Sequence, residues 1–406
     1  MSSPLLRATS TSRRDRGMDA PGVVVIDAGA DVVVIGAGMT GAACAYYAAR
    51  AGLTVTVVDR AGVASGTTGA GEGNILLSDK SPGPELSLAL HSVALWRELG
   101  ETVGDAQIEL ERKGGLVVAA SATEHDTLAA FADRQRAAGV EAHAVASHEL
   151  PGYEPHLSPH LVGAVHYPQD MQVQPMLAAA HLLRAARATV LTGTCVVGLL
   201  RDGTRGIRAV RTDHGVLSTT RVVNAAGVWA GRVAALAGVE LPILPRRGFV
   251  LVTQPLPELV RHKVYAAGYV ANVERSTAGL EISPVVEGTR AGTILIGSSR
   301  EHVGFDPAMS LPALRGLAAA AIRLFPILAG VSAIRAYRGF RPYSPDHLPI
   351  IGADKNVPGL YHATGHEGAG IGLAPATGHA IAALLTDRRP HVDLRPFAPE
   401  RHHVHL

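Results

Sequence analysis

The sequence predicts an α/β protein. A Rossmann-like dinucleotide-binding domain is assembled from discontinuous segments, with an inserted lobe built on an antiparallel sheet. Three observations predict it. A complete nucleotide fingerprint lies near the start, and a second glycine-rich turn with an alanine-rich helix lies near the end. Short apolar strands with glycine-bearing turns fill the stretch between.

The fingerprint is "DVVVIGAGMTGAACAYYAARAGLTVTVVDR", from Asp31 to Arg60. Val32 to Ile35 is a β-branched run of the kind buried on both faces of a parallel sheet. Gly36, Gly38 and Gly41 follow in G-x-G-x-x-G spacing. The first allows a tight turn, the second admits a pyrophosphate against backbone, and the third packs helix on strand. A helix from Met39 and Thr40 to Ala51 aims its N-terminal amides at the phosphates. The strand Thr54 to Val58 then ends at Asp59, whose carboxylate suits ribose hydroxyls and disfavours the extra phosphate of NADP. Strand, helix, strand and acid in register are far more specific than the glycines alone.

After Arg60 comes "AGVASGTTGAGEGNILLSDK", a loop of small residues whose unobstructed amides can wrap a ligand. Thr67, Thr68, Gly71, Gly73 and Asn74 are its expected cofactor contacts, with Arg60 just before. The apolar spacing of Pro84 to Val103 predicts a helix, "GGLVVAA" a strand, and "TEHDTLAAFADRQRAAG" an amphipathic helix closed by Gly139. Pro175 to Ala188 is a further helix. Several short strands follow, and Val196 on one of them is expected at the cofactor. The last, Val222 and Val223, runs into Asn224, Ala225, Ala226 and Gly227, with Trp229 beyond; small residues there again let backbone approach the cofactor.

"PRRGFVLVTQPLP", "KVYAAGYVANVE", "LEISPVVEG" and "TILIGSS" read as antiparallel strands, and "LPALRGLAAAAIRLFPIL" as the helix after them. Leu360 to Ala363 then meets the turn Gly365 to Gly372. Here His366, Glu367, Gly368, Ala369, Gly370 and Ile371 precede an alanine-rich helix, a second positive helix end. A nicotinamide dehydrogenase usually completes its cofactor domain in one block. Three separated stretches converging on one site suit a long, buried FAD. The expected division is a flexible leader at 1–28, cofactor segments at 29–104, 168–240 and 336–392, substrate-lobe segments at 105–167 and 241–335, and a tail at 393–406.

Composition narrows the partners. The 37 basic and 35 acidic residues nearly cancel and form no long basic run, which argues against nucleic acid. No stretch of about 18 uninterrupted apolar residues is present, so no membrane span is expected and the chain reads as cytoplasmic. Cys44 and Cys195 read as two buried thiols, with no metal-site spacing. Twin arginines near the start lack the apolar run of an export signal, and Met18 is an alternative start. The histidines of "RHHVHL" read as a frayed tail.

Four motifs in order, "VVVIGAGMTG…VVDR", "VVNAAGVWA", "GFRPYSPDHLPIIG" and "HATGHEGAGIGLAPATG", resemble one superfamily of FAD amine oxidoreductases. This is the DAO family, which holds D-amino-acid oxidase, glycine oxidase and sarcosine oxidase. The resemblance covers nearly the whole chain after residue 30. "SGTTGAGEGN" together with "GHEGAGIG" is most similar to catalytic subunits of dye-linked dehydrogenases for D-hydroxyproline, proline or opines. Such subunits hand electrons to partners bearing flavin or iron–sulfur centres.

The resemblance implies an FAD enzyme that oxidises a small amino acid by hydride transfer to flavin N5. It implies that Arg341, in "GFRP", grips the substrate carboxylate through its planar fork, with Arg338 as the alternative. His366 and Glu367 are expected in the active site, His366 either tuning amine protonation or serving the turn. Tyr265 and Tyr269 are expected as a substrate lid. No cysteine follows Cys195, which excludes the thioether to FAD found in some relatives, so FAD is expected to be non-covalent. A histidyl link through His91 is the alternative. A stand-alone glycine, sarcosine or D-amino-acid oxidase is the competing function, with Lys263 as the candidate lysine over the flavin. A non-catalytic, flavin-bearing assembly subunit is a third, disfavoured by Arg341.

Overall fold

The computed structural model describes residues 30–203, 206–268 and 279–402. Six strands form the first sheet, in the spatial order Ile350–Ala353, Leu360–Thr364, Val222–Asn224, Val32–Ile35, Val55–Val58, Thr189–Leu191. Every neighbouring pair is parallel except the first. Stretches far apart in the chain therefore meet edge to edge, with the fingerprint strand in the middle.

The alternation along that strand explains its composition. Val32 and Val34 pack into the layer of helices Met39–Arg50, Pro84–Leu99, Pro175–Ala185 and Gly370–Leu385. Val33 and Ile35 pack the other way, against the meander Val196–Arg201, Ile207–Thr212, Gly215–Ser218 and the helix Ala230–Ala235. Both faces are covered, so all four residues must be apolar. The helices end slightly earlier than predicted. The one from Pro84 gives way at Leu99 to a wider turn, Gly100–Gly104, whose last glycine has φ +101°.

Eight strands form the second sheet, in the order Ala333–Tyr343, Leu244–Thr253, Ile294–Arg300, Glu281–Gly288, Lys263–Ala266, Gly115–Ala119, Gly163–Tyr167, His143–Ala146. The expected antiparallel pairing holds with one exception. Lys263–Ala266 runs parallel to Gly115–Ala119, where two stretches inserted at different points of the chain join. The helix Leu311–Leu324 covers this sheet through Leu317 and Ala321, over Phe249, Ile296 and Val264.

Ala333–Tyr343 is a strand that the sequence reading missed. Arg335, Arg338 and Arg341 recur every third residue and hide the two-residue period that marks a strand. It lies at the sheet edge, paired along its length with Leu244–Thr253. Among the described residues no helix is long and apolar enough to cross a membrane.

Candidate active site

The fingerprint turn is fixed by contacts that only glycine permits. Gly36 has φ +113°, and a Cβ there would lie 2.4 Å from the Ala225 carbonyl oxygen. A Cβ on Gly41 would fall 1.9 Å from the Gly36 carbonyl oxygen. Turn, helix and the neighbouring strand are thus in direct backbone contact. Asp59 ties the turn from outside, its carboxylate accepting the Ala37 and Ala61 amides at 2.8 Å each. The Met39 amide donates to Thr68 Oγ1 at 2.9 Å, which docks the small-residue loop on the helix start.

Above the turn opens a cavity of about 500 Å³. Its wall includes Gly36, Gly38, Met39, Thr40, Asp59, Arg60, Thr67, Thr68, Gly71, Asn74, Val196, Ala225, Ala226, Gly227 and Trp229, all expected from sequence. The Arg60 guanidinium stacks 3.8 Å over the Trp229 ring. Thr194 and Cys195 join them unexpectedly. Cys44 is buried as expected, its thiol pushed up to about 12 by burial, whereas Cys195 is exposed and belongs to the wall.

His366, Glu367, Gly368, Gly370 and Ile371 enter the wall from the second glycine turn. The helix behind them contains Pro375, which has no amide to donate. Neighbours compensate. Ser92 Oγ and Trp96 Nε1 donate to the Gly372 carbonyl at 2.6 and 3.1 Å, and the Ala376 amide donates to Ser92 Oγ at 3.2 Å. The helix start is thereby held at the cavity, where its partial positive charge favours anionic groups. His366 is buried and shares a 3.0 Å hydrogen bond with Thr377 Oγ1. Burial pulls its imidazole down to about 3, so it stays neutral and serves the turn. Glu367, at φ +48°, accepts from His347 Nδ1 at 2.9 Å and pairs with Arg246 at 3.5 Å.

Arg341 is carried in by the unforeseen strand. That strand lies on the small-residue loop: Thr67 Oγ1 donates to the Phe340 carbonyl at 2.6 Å, and the Tyr337 hydroxyl to the Gly71 carbonyl at 3.2 Å. Arg341 lines the cavity, with Nη1 donating to the Ser299 carbonyl at 2.8 Å. Arg338 does not line it; its Nε donates to the Pro307 carbonyl at 2.6 Å.

Other expectations are corrected. Tyr265 is no lid: it is fully buried, pairs in register with Val117 and Val285 in mid-sheet, and donates its hydroxyl to Ser78 Oγ. Tyr269 lies outside the described residues. Lys263 is buried, in contact with the Glu287 carboxylate and donating to Asn74 Oδ1; it forms no part of the cavity wall. Gly41, Gly73, Gly365 and Ala369 also lie off the wall. Gly73 packs on Val173, where a Cβ would meet the carbonyl oxygen at 1.8 Å, and Gly365, at φ +77°, packs on Ile243 and Ile350. His91 faces His379 at 3.1 Å, away from the wall. No metal-ligating cluster occurs among the described residues.

The reading missed Gly248, Ser298, Gly339 and, above all, Glu72 in the wall. Glu72 is 6% exposed, and burial raises its carboxyl against the pull of Lys263 and Arg341. The available signal was an acid within "GEGN", in a loop otherwise built of small and neutral residues.

The chain belongs to the DAO family of FAD dependent oxidoreductases, whose family model matches residues 31–384. It is similar to hydrogen cyanide synthase subunit HcnC of Pseudomonas aeruginosa, at 31% identity over 91% of this chain and 96% of that one. It is similar to glycine oxidase of Geobacillus kaustophilus, at 30% identity over 92% of this chain and 97% of the relative. The crystal structure of a glycine oxidase from that organism matches with a TM-score of 0.83 at 28% identity, covering 92% and 99% of the two chains. L-proline dehydrogenase from P. horikoshii matches with a TM-score of 0.84 at 25% identity, covering 93% and 98%. The protein is thus an FAD-dependent amino-acid oxidoreductase acting on a carbon–nitrogen bond. The cavity fits that cofactor: bare glycines line it at the fingerprint turn, the Asp59 carboxylate lies in its wall, and Gly370 and Ile371 bring a helix start to it.

Proposed function

We propose that this chain is a dehydrogenase for a small cyclic or N-substituted amino acid, of the D-hydroxyproline, proline or opine type, and that it passes electrons to partner subunits bearing flavin or iron–sulfur centres. The observation that carries the reading is Arg341 in the cavity wall, steadied by the Ser299 carbonyl. A guanidinium there meets a carboxylate with two parallel hydrogen bonds and holds the α-carbon at a set distance from the wall.

Gly36, Gly38, Met39, Thr40 and Asp59 would hold the pyrophosphate and ribose of FAD, with Ala225, Ala226, Gly227, Gly368, Gly370 and Ile371 along its length. When bound, FAD supplies the two-electron oxidant. Val250 and Ile371 give the cavity apolar walls that limit water. His366, held neutral, contributes shape and no charge.

Lys263 supports a dehydrogenase over an oxidase, because its ammonium is engaged by Glu287 and Asn74 and forms no part of the wall. The similarity to a proline dehydrogenase and to a relative named as a subunit supports the same reading. The similarity to glycine oxidases favours a second one, a stand-alone oxidase that releases hydrogen peroxide. Two measurements test this. Anaerobic flavin bleaching across D-proline, cis-4-hydroxy-D-proline, L-proline, sarcosine, glycine and D-alanine is expected to select a cyclic or N-substituted substrate. An oxygen electrode is expected to show slow peroxide production by the purified chain alone, and fast production would establish the oxidase.

A further inference from the structure

Glu72 shares the Arg341 end of the cavity, and two glycines make room for the pair. A Cβ on Gly297 would lie 2.6 Å from both Glu72 carboxylate oxygens, and one on Gly248 would lie 2.1 Å from Arg341 Nη1. Gly297 and Ser299, which receive Glu72 and Arg341 respectively, flank Ser298 on one strand, and Ser298 lines the cavity between them. The loop that carries Glu72 is pinned on its other side. The Gly73 amide donates to Glu287 Oε1 at 3.3 Å, and Lys263 bridges Glu287 and Asn74. Glu72 Oε1 has no hydrogen-bond partner among the described residues, although the side chain is more than nine-tenths buried. A buried carboxylate oxygen left in that state awaits a donor.

We infer that Glu72 is the amine-binding group of the site and takes a proton from the substrate nitrogen while Arg341 holds the substrate carboxylate. This rests on the proposed reading that the cavity oxidises an amino acid held by Arg341. The charges facing Glu72 argue for it. Lys263 and Arg341 are the two cations that pull on Glu72, Lys263 being shared with the Glu287 carboxylate, while the Gly297 amide and the Asn74 side chain hydrogen-bond the Glu72 carboxyl. A substrate carboxylate on Arg341 claims the Arg341 share of that balance, and with Lys263 already shared with Glu287 the pair of carboxylates is left short of a cation or a proton. A zwitterionic amino acid brings both. Its ammonium N–H bond breaks and a Glu72 O–H bond forms, which leaves a neutral amine and no net change in charge. Burial that raises the Glu72 carboxyl suits a proton acceptor. A carboxylate lacking nitrogen, such as a 2-hydroxy acid, leaves Glu72 uncompensated. The pair therefore selects α-amino acids.

The test uses the FAD-loaded full chain and its E72Q and E72D variants. With an amino acid that bleaches the wild-type flavin, E72Q is expected to slow anaerobic bleaching about 100-fold near neutral pH, with recovery as pH approaches the pKa of the free amine, and E72D to fall between. E72Q is also expected to bind acetate about tenfold more tightly while binding the amino acid more weakly, because the carboxylate that repels acetate is gone. A merely structural role would weaken both ligands together and leave the pH profile in place, and that result overturns the inference. The wild type provides a measurement that needs no variant: acetate binding at about pH 9, followed by calorimetry in two buffers, is expected to take up about one proton, and no uptake overturns the inference. Failure of every amino acid to perturb the wild-type flavin would instead strike at the reading of function.

Discussion

Gly248 and Arg341 approach across paired strands so closely that no side chain fits between them: a Cβ on Gly248 would lie 2.1 Å from Arg341 Nη1 and 2.6 Å from the Ser299 carbonyl that Nη1 donates to. The second contact is with backbone, which cannot swing away as a side chain can. Gly248→Ala is therefore expected to cost about 1–3 kcal/mol of stability through overpacking. It is also expected to weaken amino-acid binding while FAD stays bound. Thermal melting and titration of flavin absorbance check the two effects separately.

Arg341→Ala is expected to cost about 3–5 kcal/mol of substrate binding, the scale for leaving a charged partner unpaired, which is about two to four orders of magnitude in Kd. Arg341→Lys keeps the charge but loses the fork and is expected to recover only part of it. Arg338→Ala is the control, since Arg338 reaches the Pro307 carbonyl and not the cavity. Equal losses in the two alanine variants would move the carboxylate clamp elsewhere.

The fingerprint turn predicts FAD retention. Asp59→Ala removes the acceptor of two backbone amides, each hydrogen bond contributing about 1 kcal/mol. The purified variant is expected to fold but to release FAD on dilution or gel filtration. Gly36→Ala is expected to be more severe, because φ +113° and the Ala225 carbonyl oppose any Cβ.

His366 predicts an acid limit. Its folded-state pKa, about 3, lies below its ordinary value of 6.5. Between those values the unfolded chain binds a proton that the folded chain does not. The stability is complete above pH 6.5 and is lost by about 1.4 kcal/mol per pH unit as pH falls toward 3. His366→Asn keeps a polar group for Thr377 and is expected to flatten this part of the pH–melting curve. An unchanged acid slope would assign it to other groups.

No cysteine stands in the cavity wall beyond Cys195, and His91 lies outside it. Acid precipitation is therefore expected to leave a white pellet and a yellow supernatant. Colour retained in the pellet would mark a covalent link.

The two glycine turns were legible because their constraints are local. The positive φ of Gly36, the Gly36 carbonyl that excludes a Cβ at Gly41 and the acid at the end of the second strand all lie within Gly36 to Asp59, whereas the Ala225 carbonyl that closes on Gly36 arrives from another part of the chain. The strand Ala333–Tyr343 was not legible, because its arginines follow its neighbours and not a two-residue period. Tyr265 and Lys263 were misplaced for a related reason. A strand residue faces a cavity or a core according to which strands flank it, and Gly115–Ala119 and Glu281–Gly288, on either side, come from distant parts of the chain.

Local backbone rules thus settled the conformation of the dinucleotide turn and the start of the second helix, since each follows from residues a few positions apart; the burial of the fingerprint strand was legible in its β-branched run, although distant elements supply it. Long-range packing chose which charges face the cavity. Thr67 reaches Phe340 across 273 positions, and that contact seats Arg341 above the loop that bears Glu72. Side-chain direction at such a junction depends on the register of strands brought together by folding, and no short stretch of sequence contains it.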